Sequence, residues 1–534
     1  MKVSKNSFFL TLLVMFLSIV LVACGAGNDT NEPDDSATGE EGTAGGTLII
    51  NQNSDAVSLD PHGSNDTPSS NVAYNIYEAL VVQDQDLNLT PGLATEWTQD
   101  EEDPTRWEFQ LREGVTFHDG SEFNAEVVKA NIERILDGDV ASPRSFLYDM
   151  ITEINVIDDY TIEFITEYPY APLAANLAHN GGGMISKELI DADYAAMEEG
   201  RDPGAVINEG PIGTGYFKFE NWNPGQEINL TRNEDYWGEK AKLDGVTFRV
   251  VSEPGTRLAN LQTGDAHISH PIIPSDVAQV EAIDNLEITR TPSVSLSYFG
   301  FNVEKEPFDD VKVRQAVSMA INKDDIINGV YDGAGIPAIG PLAPAVFGYS
   351  ENAEPIPYDV ERAKELLAEA GYEDGFSTTL WTNDSPERTN AAVAVQAQLA
   401  EIGITVNIEV LEWGAYLEQT SNGEHEMFIL GWSTVTGDGD YGMYALFHSS
   451  QHGTPGNRTF IDNAELDDLL DQARRSSDEQ ERLELYEQAQ EILIEEAPML
   501  YIHHQEFLLG YRNEVQGLVQ TPTDILLLNE VTIQ

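Results

Sequence analysis

The sequence has few cysteines and few basic residues for its length. Its 534 residues include one cysteine, and 28 lysines and arginines stand against 92 aspartates and glutamates. A single cysteine excludes an internal disulfide, so stability has to come from the burial of apolar side chains. The net charge of −64 argues against nucleic acid and anionic lipid as partners, because such a surface repels both.

Long apolar runs are also scarce, and the clearest one is at the N-terminus. Residues 8–23 are apolar and follow Lys2 and Lys5. This run is too short and wrongly flanked for an ordinary membrane span, and it is typical of a signal peptide, residues 1–23. The sequence Leu21-Val22-Ala23-Cys24-Gly25 resembles a bacterial lipobox, which predicts cleavage before Cys24 and a lipid on its sulfur. The alternative is an ordinary signal peptide in which Cys24 has no role.

Residues 24–45 are rich in Gly, Asp, Glu, Ser and Thr and contain nothing that could form a core. We interpret them as a disordered acidic tether between the lipid and the folded chain. The predicted location is therefore extracytoplasmic, with the protein anchored by lipid to the outer face of the cell membrane.

Beyond the tether, helical and strand patterns alternate. Residues 124–136 and 359–371 have apolar positions at helical spacing, and residues 309–329 predict one longer helix. Residues 376–381 and 404–411 predict strands between such helices. This alternation predicts an α/β protein with a partly parallel sheet.

One loop combines several groups that could bind a small polar ligand. An apolar strand pattern runs into residues 430–447, which read LGWSTVTGDGDYGMYALF. The loop offers exposed backbone, the carboxylates of Asp438 and Asp440, and the flat faces of Trp432 and Tyr441. The alternative is a surface loop whose acids are solvated or cap the following helix.

Several segments together resemble the peptide- and nickel-class (family 5) substrate-binding lipoproteins of ABC importers. The segments fall in the family's order and span nearly all of residues 46–534: residues 58–61 (SLDP), 107–120, 213–216, 307–316, 358–371 and the pair Gly431-Trp432. Within the family the chain is most similar to the glutathione-binding and dipeptide-binding members, and residues 376–381 and 431–447 resemble the glutathione-binding ones most.

The resemblance implies a large two-lobed fold of the periplasmic-binding-protein type, class II, with an extra subdomain and a hinge of two crossing segments. Lobe I would contain residues 46–290 and 506–534, with the subdomain near residues 84–200. Lobe II would contain residues 291–505. The ligand would be enclosed between the lobes when they close.

The resemblance also implies where a ligand's charged ends would bind. In peptide-binding relatives an Asp three residues after the Trp of the Gly-Trp pair holds the ligand's amine, but this chain has Val435 there. Asp438 and Asp440 are the nearby acids that could replace it, with Gly431, Trp432 and Tyr441 around the ligand.

A ligand carboxylate calls for an arginine, and Arg388 is the nearest candidate after the strand at residues 376–381. Asn53, His179, Asn180 and Gly181 fall where the relatives' lobe I approaches the ligand. Each of these residues could also be an ordinary surface or core residue.

Two other functions fit the sequence less well. The histidine pairs have no third ligand at a recognised spacing, so no metal site and no cofactor is predicted from them; the pairs are His267 with His270, His448 with His452, and His503 with His504. No nucleophile elbow, Walker loop or zincin motif is present, which argues against an enzyme.

The sequence therefore predicts a monomeric extracellular solute-binding protein that delivers a short peptide or glutathione-like ligand to an ABC permease and its ATPase. A nickel-chelate-binding protein of the same family and a surface peptide sensor or adhesin remain alternatives.

The acids are spread over the whole chain, which indicates a surface adapted to high salt or alkaline surroundings. The alternative is an acidic protein with no such adaptation. We expect the melting temperature to rise between low and molar NaCl, because salt screens the repulsion among the acids. Thermal unfolding followed by circular dichroism checks this. A melting temperature that stays level or falls over that range contradicts the interpretation.

Overall fold

A computed structural model describes residues 45–64, 66–453 and 456–534. The predicted signal segment, Cys24 and residues 25–44 of the predicted tether lie outside the described residues. Strands and helices alternate along most of the described chain, as the sequence pattern predicts.

The strands, numbered in chain order, are β1 (Thr47–Gln52), β2 (Val81–Gln83), β3 (Leu89–Pro91), β4 (Ala94–Gln99), β5 (Arg106–Leu111), β6 (Ile151–Asp158), β7 (Thr161–Thr166), β8 (Phe217–Asn223), β9 (Glu227–Arg232), β10 (Gly245–Val250), β11 (Ile268–His270), β12 (Leu286–Pro292), β13 (Ser295–Phe301), β14 (Gly335–Pro337), β15 (Ser377–Asn383), β16 (Thr405–Leu411), β17 (Met427–Ser433), β18 (Met499–Arg512), β19 (Val515–Gln516), β20 (Val519–Gln520), β21 (Leu526–Leu527) and β22 (Thr532–Ile533).

The α-helices are α1 (Thr67–Ile76), α2 (Ala125–Leu136), α3 (Leu173–Leu177), α4 (Lys187–Glu198), α5 (Ala205–Glu209), α6 (Pro254–Thr263), α7 (Val277–Glu281), α8 (Val311–Met319), α9 (Lys323–Val330), α10 (Val360–Glu369), α11 (Pro386–Ala400), α12 (Trp413–Ser421), α13 (Gly439–Phe447), α14 (Ala464–Arg475) and α15 (Glu479–Glu496). In the ranges that the structure describes, every helix is too short or too polar to cross a membrane.

Local capping decides where the predicted helices begin and end. Asn124 caps α2, as predicted, because its side chain accepts a hydrogen bond from the Val127 N–H at 3.2 Å. The single helix predicted over residues 309–329 is wrong. The chain forms α8 and α9 instead, since Asn322 accepts from the Asp324 N–H and begins a second helix. The apolar positions continue across the break, so the periodicity alone did not show it.

The large sheet depends on β18. In the described chain a 12-stranded sheet runs β16-β15-β17-β13-β18-β11-β1-β10-β9-β8, and β12 and β14 also pair with β18. The pairs of β1 with β10 and of β15 with β16 are parallel, so the predicted partly parallel sheet is confirmed.

The two ends of β18 serve different halves of this sheet. Met499 to His503 pairs with β13, and Glu506 to Arg512 pairs with β12. The chain thus passes from one half to the other twice, near residues 292–295 and near residues 503–506. The lobe boundaries given by the resemblance remain a prediction.

A separate antiparallel sheet, β4-β5-β7-β6, carries the region predicted as a subdomain. Phe109 and Phe164 pack edge to face across β5 and β7, with ring centroids 5.5 Å apart. Helix α2 covers this sheet and is buried through Val128 and Ile132. A hydrophobic core therefore lies between this sheet and α2, within the region predicted as a subdomain.

The segment at residues 58–61 has a structural role. Asp60 pairs with Arg134 on α2 at 2.7 Å, and Arg134 also pairs with Asp193 on α4 at 3.0 Å. All three side chains are buried, so each needs the others to compensate its lost hydration. This network joins the segment after β1 to the subdomain.

Candidate functional site

The C-terminal end of β17 lies beside two cavities. Gly431, Trp432 and Ser433 end this strand, and Leu296 and Ser295 of β13 pair with Trp432 and Ser433. The larger cavity has a volume of about 710 Å³ and the smaller one about 300 Å³. Both cavities are lined by Gly431, Trp432, Ser433, Phe507 and Asp524.

The larger cavity lies where the two halves of the sheet meet. Its walls come from β11 and the turn after it, from β13, from the start of α11 and from the centre of β18. Its polar lining includes His270, Ser297, Asn383, Arg388, His503 and Glu506. A ligand in this space would contact both halves.

Trp432 forms a half-exposed wall. Its ring lies 5.2 Å from that of Tyr441, and its Nε1–H donates to the Tyr441 carbonyl oxygen at 3.1 Å. Tyr441 in turn stacks on Phe146 of the subdomain at 5.8 Å. Three aromatic rings thus hold the loop after β17 against the subdomain, and one face of Trp432 remains available.

Arg388 lines the larger cavity. It is in the first turn of α11, where Ser385 is the N-cap, and its Nη1 donates to the Asn383 side-chain oxygen at 3.1 Å. Its guanidinium lies 5.5 Å from the Trp413 ring centroid. Both partners are uncharged, so the charge of Arg388 is not compensated by these two contacts.

The smaller cavity contains His179 and Asn180, together with an arginine that the sequence reasoning did not select. Arg144 is 2% exposed, and its Nη1 lies 3.3 Å from His179 Nε2. Burial lowers the pKa of the Arg144 guanidinium to about 10. Burial, and then the charge of Arg144, hold the pKa of His179 well below its usual range, so His179 is neutral at pH 7.

Gly181 and Asn53 lie outside both linings. A methyl group at Gly181 would approach Arg144 Nε to 2.7 Å, so this glycine leaves space for the arginine and acts through it. Asn53 is exposed, and its side-chain oxygen accepts a hydrogen bond from Ser54. The structure therefore does not bring Asn53 to the other predicted site residues.

Asp438 and Asp440 are held by arginines on neighbouring helices. Asp438 accepts two hydrogen bonds from Arg482 on α15, at 2.7 and 2.9 Å. Asp440 accepts two from Arg474 on α14, at 3.0 and 2.9 Å. Both acids are buried, and neither lines the two cavities. Their carboxylates serve to fix the loop, and Asp438 also caps α13.

Val435 does line the smaller cavity. The position where the resemblance led us to expect a carboxylate is therefore at the cavity wall but carries an apolar side chain. Two acids line this cavity in place of it, Asp66 and Asp524. Neither was selected from the sequence, because each lies in a turn far from the Gly-Trp pair along the chain.

The described residues hold no group of three or more His, Cys, Asp or Glu side chains arranged to bind a metal ion. His270 and His503 do line the larger cavity. Burial lowers the pKa of His503 to about 4, so its imidazole is neutral at pH 7.

Comparison with known proteins places this fold among bacterial solute-binding proteins. The ABC transporter-associated periplasmic binding protein DppA of Helicobacter pylori, solved in complex with the peptide STSA, superposes with a TM-score of 0.79 at 34% identity. The alignment covers 92% of this chain and 98% of that one. The two-lobed α/β fold is thereby confirmed.

Sequence relatives agree with this class. The glutathione-binding protein GsiB of Salmonella typhi is 34% identical over 479 residues, which cover 88% of this chain and 91% of the relative. The dipeptide-binding protein of Escherichia coli K12 is 34% identical over 454 residues, covering 81% and 84%. The profile of the bacterial extracellular solute-binding proteins, family 5 (middle), matches residues 88–454. The chain belongs to this family of solute-binding proteins.

The contacts of Asp438 lead to a prediction about stability. Asp438→Asn should lower the free energy of unfolding by about 3 kcal/mol, because it leaves the buried Arg482 without its charge partner. Urea denaturation measures the change. Asp471→Asn, which removes the partner of the half-exposed Arg475, should cost less than about 1 kcal/mol. If Asp438→Asn leaves stability unchanged and weakens ligand binding, Asp438 contacts the ligand and the structural role is wrong.

Proposed function

We propose that this protein captures a short peptide or a glutathione-like ligand between its two lobes and delivers it to the membrane subunits of an ABC importer. One observation carries the proposal: Arg388 and the free face of Trp432 line the same 710 Å³ cavity, between the two halves of the sheet. That volume is in the range of small-ligand sites. Arg388 provides a charge for a carboxylate and Trp432 provides an apolar face.

Contacts between the subdomain and the far side of the cleft support a closing motion. Arg474 donates to the Tyr168 hydroxyl at 3.1 Å, and Gln83 donates to the Thr436 carbonyl oxygen. These bonds join residues that the family resemblance assigns to different lobes. A ligand that binds both sides would favour the closed arrangement by its differential affinity, and the permease would receive that form.

The proposed site consists of Arg388 for the carboxylate end, with Gly431, Trp432 and Tyr441 along the ligand. His179 and Asn180 contribute from the smaller cavity, and Arg144 is added to them. The contacts described above favour a structural role for Asp438 and Asp440.

A nickel chelate is a second candidate ligand, and the pair His270 and His503 in the larger cavity favours it. A neutral imidazole is the form that binds metal. His270 already donates to Asp524 at 2.8 Å, however, which reduces its availability.

Isothermal titration calorimetry with dipeptides, tetrapeptides, reduced and oxidised glutathione, and Ni(II)-histidine tests the proposal. We expect micromolar or tighter binding of a peptide or of glutathione. Arg388→Ala should weaken the binding of that ligand by about 30-fold, because a desolvated charge pair is lost. It should change little the binding of the same ligand with its C-terminal carboxylate converted to an amide.

The exposed Arg475→Ala is the matched control and should leave binding unchanged. Tight binding of Ni(II)-histidine with no binding of peptides or glutathione would overturn the proposal. Equal affinity of the wild-type protein and Arg388→Ala for the free carboxylate would remove Arg388 from the site.

We also propose that the protein is anchored outside the cell membrane by a lipid on Cys24. The support is the sequence around Cys24, together with a family of extracellular proteins. Cys24→Ser should abolish incorporation of labelled palmitate and move the protein from the membrane fraction to the soluble fraction. Ser18→Ala, in the same segment, should leave both unchanged. Membrane retention and labelling of Cys24→Ser would contradict the anchor.

A further inference from the structure

Asp524 occupies the junction of the two cavities. It lies in the turn between β20 and β21 and lines both the larger and the smaller cavity. The residue is 9% exposed, so its carboxylate has lost most of its hydration. Its backbone is in the left-handed region, with φ of 67°, which Asp and Asn tolerate better than other non-glycine residues.

Helix α1 fixes the turn that carries Asp524. The Asn71 side-chain amide donates to the Asp524 carbonyl oxygen at 3.0 Å and accepts from the Leu526 N–H at 2.9 Å. Asn71 is itself buried. The side chain of Asp524 is therefore presented to the cavities from a rigid base.

The two carboxylate oxygens of Asp524 differ in their contacts. Oδ1 accepts from His270 Nε2 at 2.8 Å and from Gln520 Nε2 at 2.7 Å. Oδ2 accepts no hydrogen bond from the part of the chain that the structure describes. It is also not one of the fully buried atoms without a partner in those residues, so it is accessible. Since one oxygen is held by protein and the other faces accessible space, Asp524 can accept a hydrogen bond from a ligand.

The other acids that line the cavities are engaged elsewhere. Asp66 caps α1 through the Ser69 N–H and lies close enough to Arg144 to act on its charge. Glu506 lies 3.9 Å from Arg290, and Glu387 accepts from the Ser385 hydroxyl. Asp524 differs from Asp66 and Glu506 in having no arginine or lysine beside it among the described residues.

We propose that Asp524 binds the ammonium group of the ligand. It would replace the acid that peptide-binding relatives have at the position of Val435. This inference rests on the proposed function and specifies it. The ligand class is a zwitterion whose primary ammonium pairs with Asp524 and whose carboxylate pairs with Arg388, which lines the same larger cavity. A carboxylate that has lost most of its hydration forms a strong charge-assisted hydrogen bond with an ammonium, and Oδ2 is the oxygen that can accept it.

The test is calorimetry on the full folded chain with Ala-Ala, reduced glutathione and the N-acetylated form of each. Wild-type protein should bind the free amine of its preferred probe at least about 30-fold more tightly than the acetylated form. Asp524→Asn keeps the shape, the hydrogen bonds at Oδ1 and the left-handed backbone. It should weaken the free-amine probe by a similar factor and leave the acetylated probe unchanged.

Asp284→Asn, an exposed acid outside both cavities, changes the net charge equally and should leave all affinities unchanged. Equal losses for free and acetylated probes in Asp524→Asn, or no loss, would overturn the pairing while the proposed function stands. Wild-type protein that does not distinguish the free from the acetylated amine would overturn it without any variant. Wild-type protein that binds none of the probes would overturn both proposals.

Discussion

The continuity of β18 is the constraint on which the cleft depends. One strand of 14 residues pairs with β13 at its start and with β12 at its end, so the two halves of the sheet share a backbone ladder. The larger cavity lies at the change of partner. Residues from both halves can therefore face one ligand in that cavity.

Buried ion pairs fix the loop that forms one wall of this cleft. Asp438 and Asp440, two residues apart, bind arginines on two different helices, α15 and α14. Tyr441 follows directly and supports the Trp432 ring. A loop that is rich in glycine would otherwise sample many conformations, and ordering it costs conformational entropy. The arginine pairs hold the aromatic wall in one position before a ligand arrives, which lowers the cost of binding.

The sequence predicted the alternation of elements and the partly parallel sheet, because apolar periodicity and Gly/Asp turns are local signals. It also predicted a ligand-binding loop after β17, and the structure places the start of that loop beside two cavities. It did not predict the split of α8 from α9, where a single capping residue, Asn322, decides against a continuous apolar stripe. Nor could local patterns show that Asp438 pairs with Arg482, because Arg482 lies 44 residues further along the chain. Asp524 was missed for the same reason. Its importance depends on His270, Gln520 and Asn71, which only the folded chain brings together.

The scarcity of cations gives each buried arginine a clear consequence. Arg134, Arg474 and Arg482 neutralise acids in the interior, and acids far outnumber the lysines and arginines in the rest of the chain. A ligand carboxylate is then repelled at long range and attracted only close to Arg388 or Arg144, while an ammonium group is attracted throughout. In molar salt, where the screening length is about 3 Å, the long-range repulsion disappears and the short contacts inside the cleft remain. In molar salt such a protein can select a zwitterion by the spacing of its two charged ends, because the screened field of the surface then favours neither end.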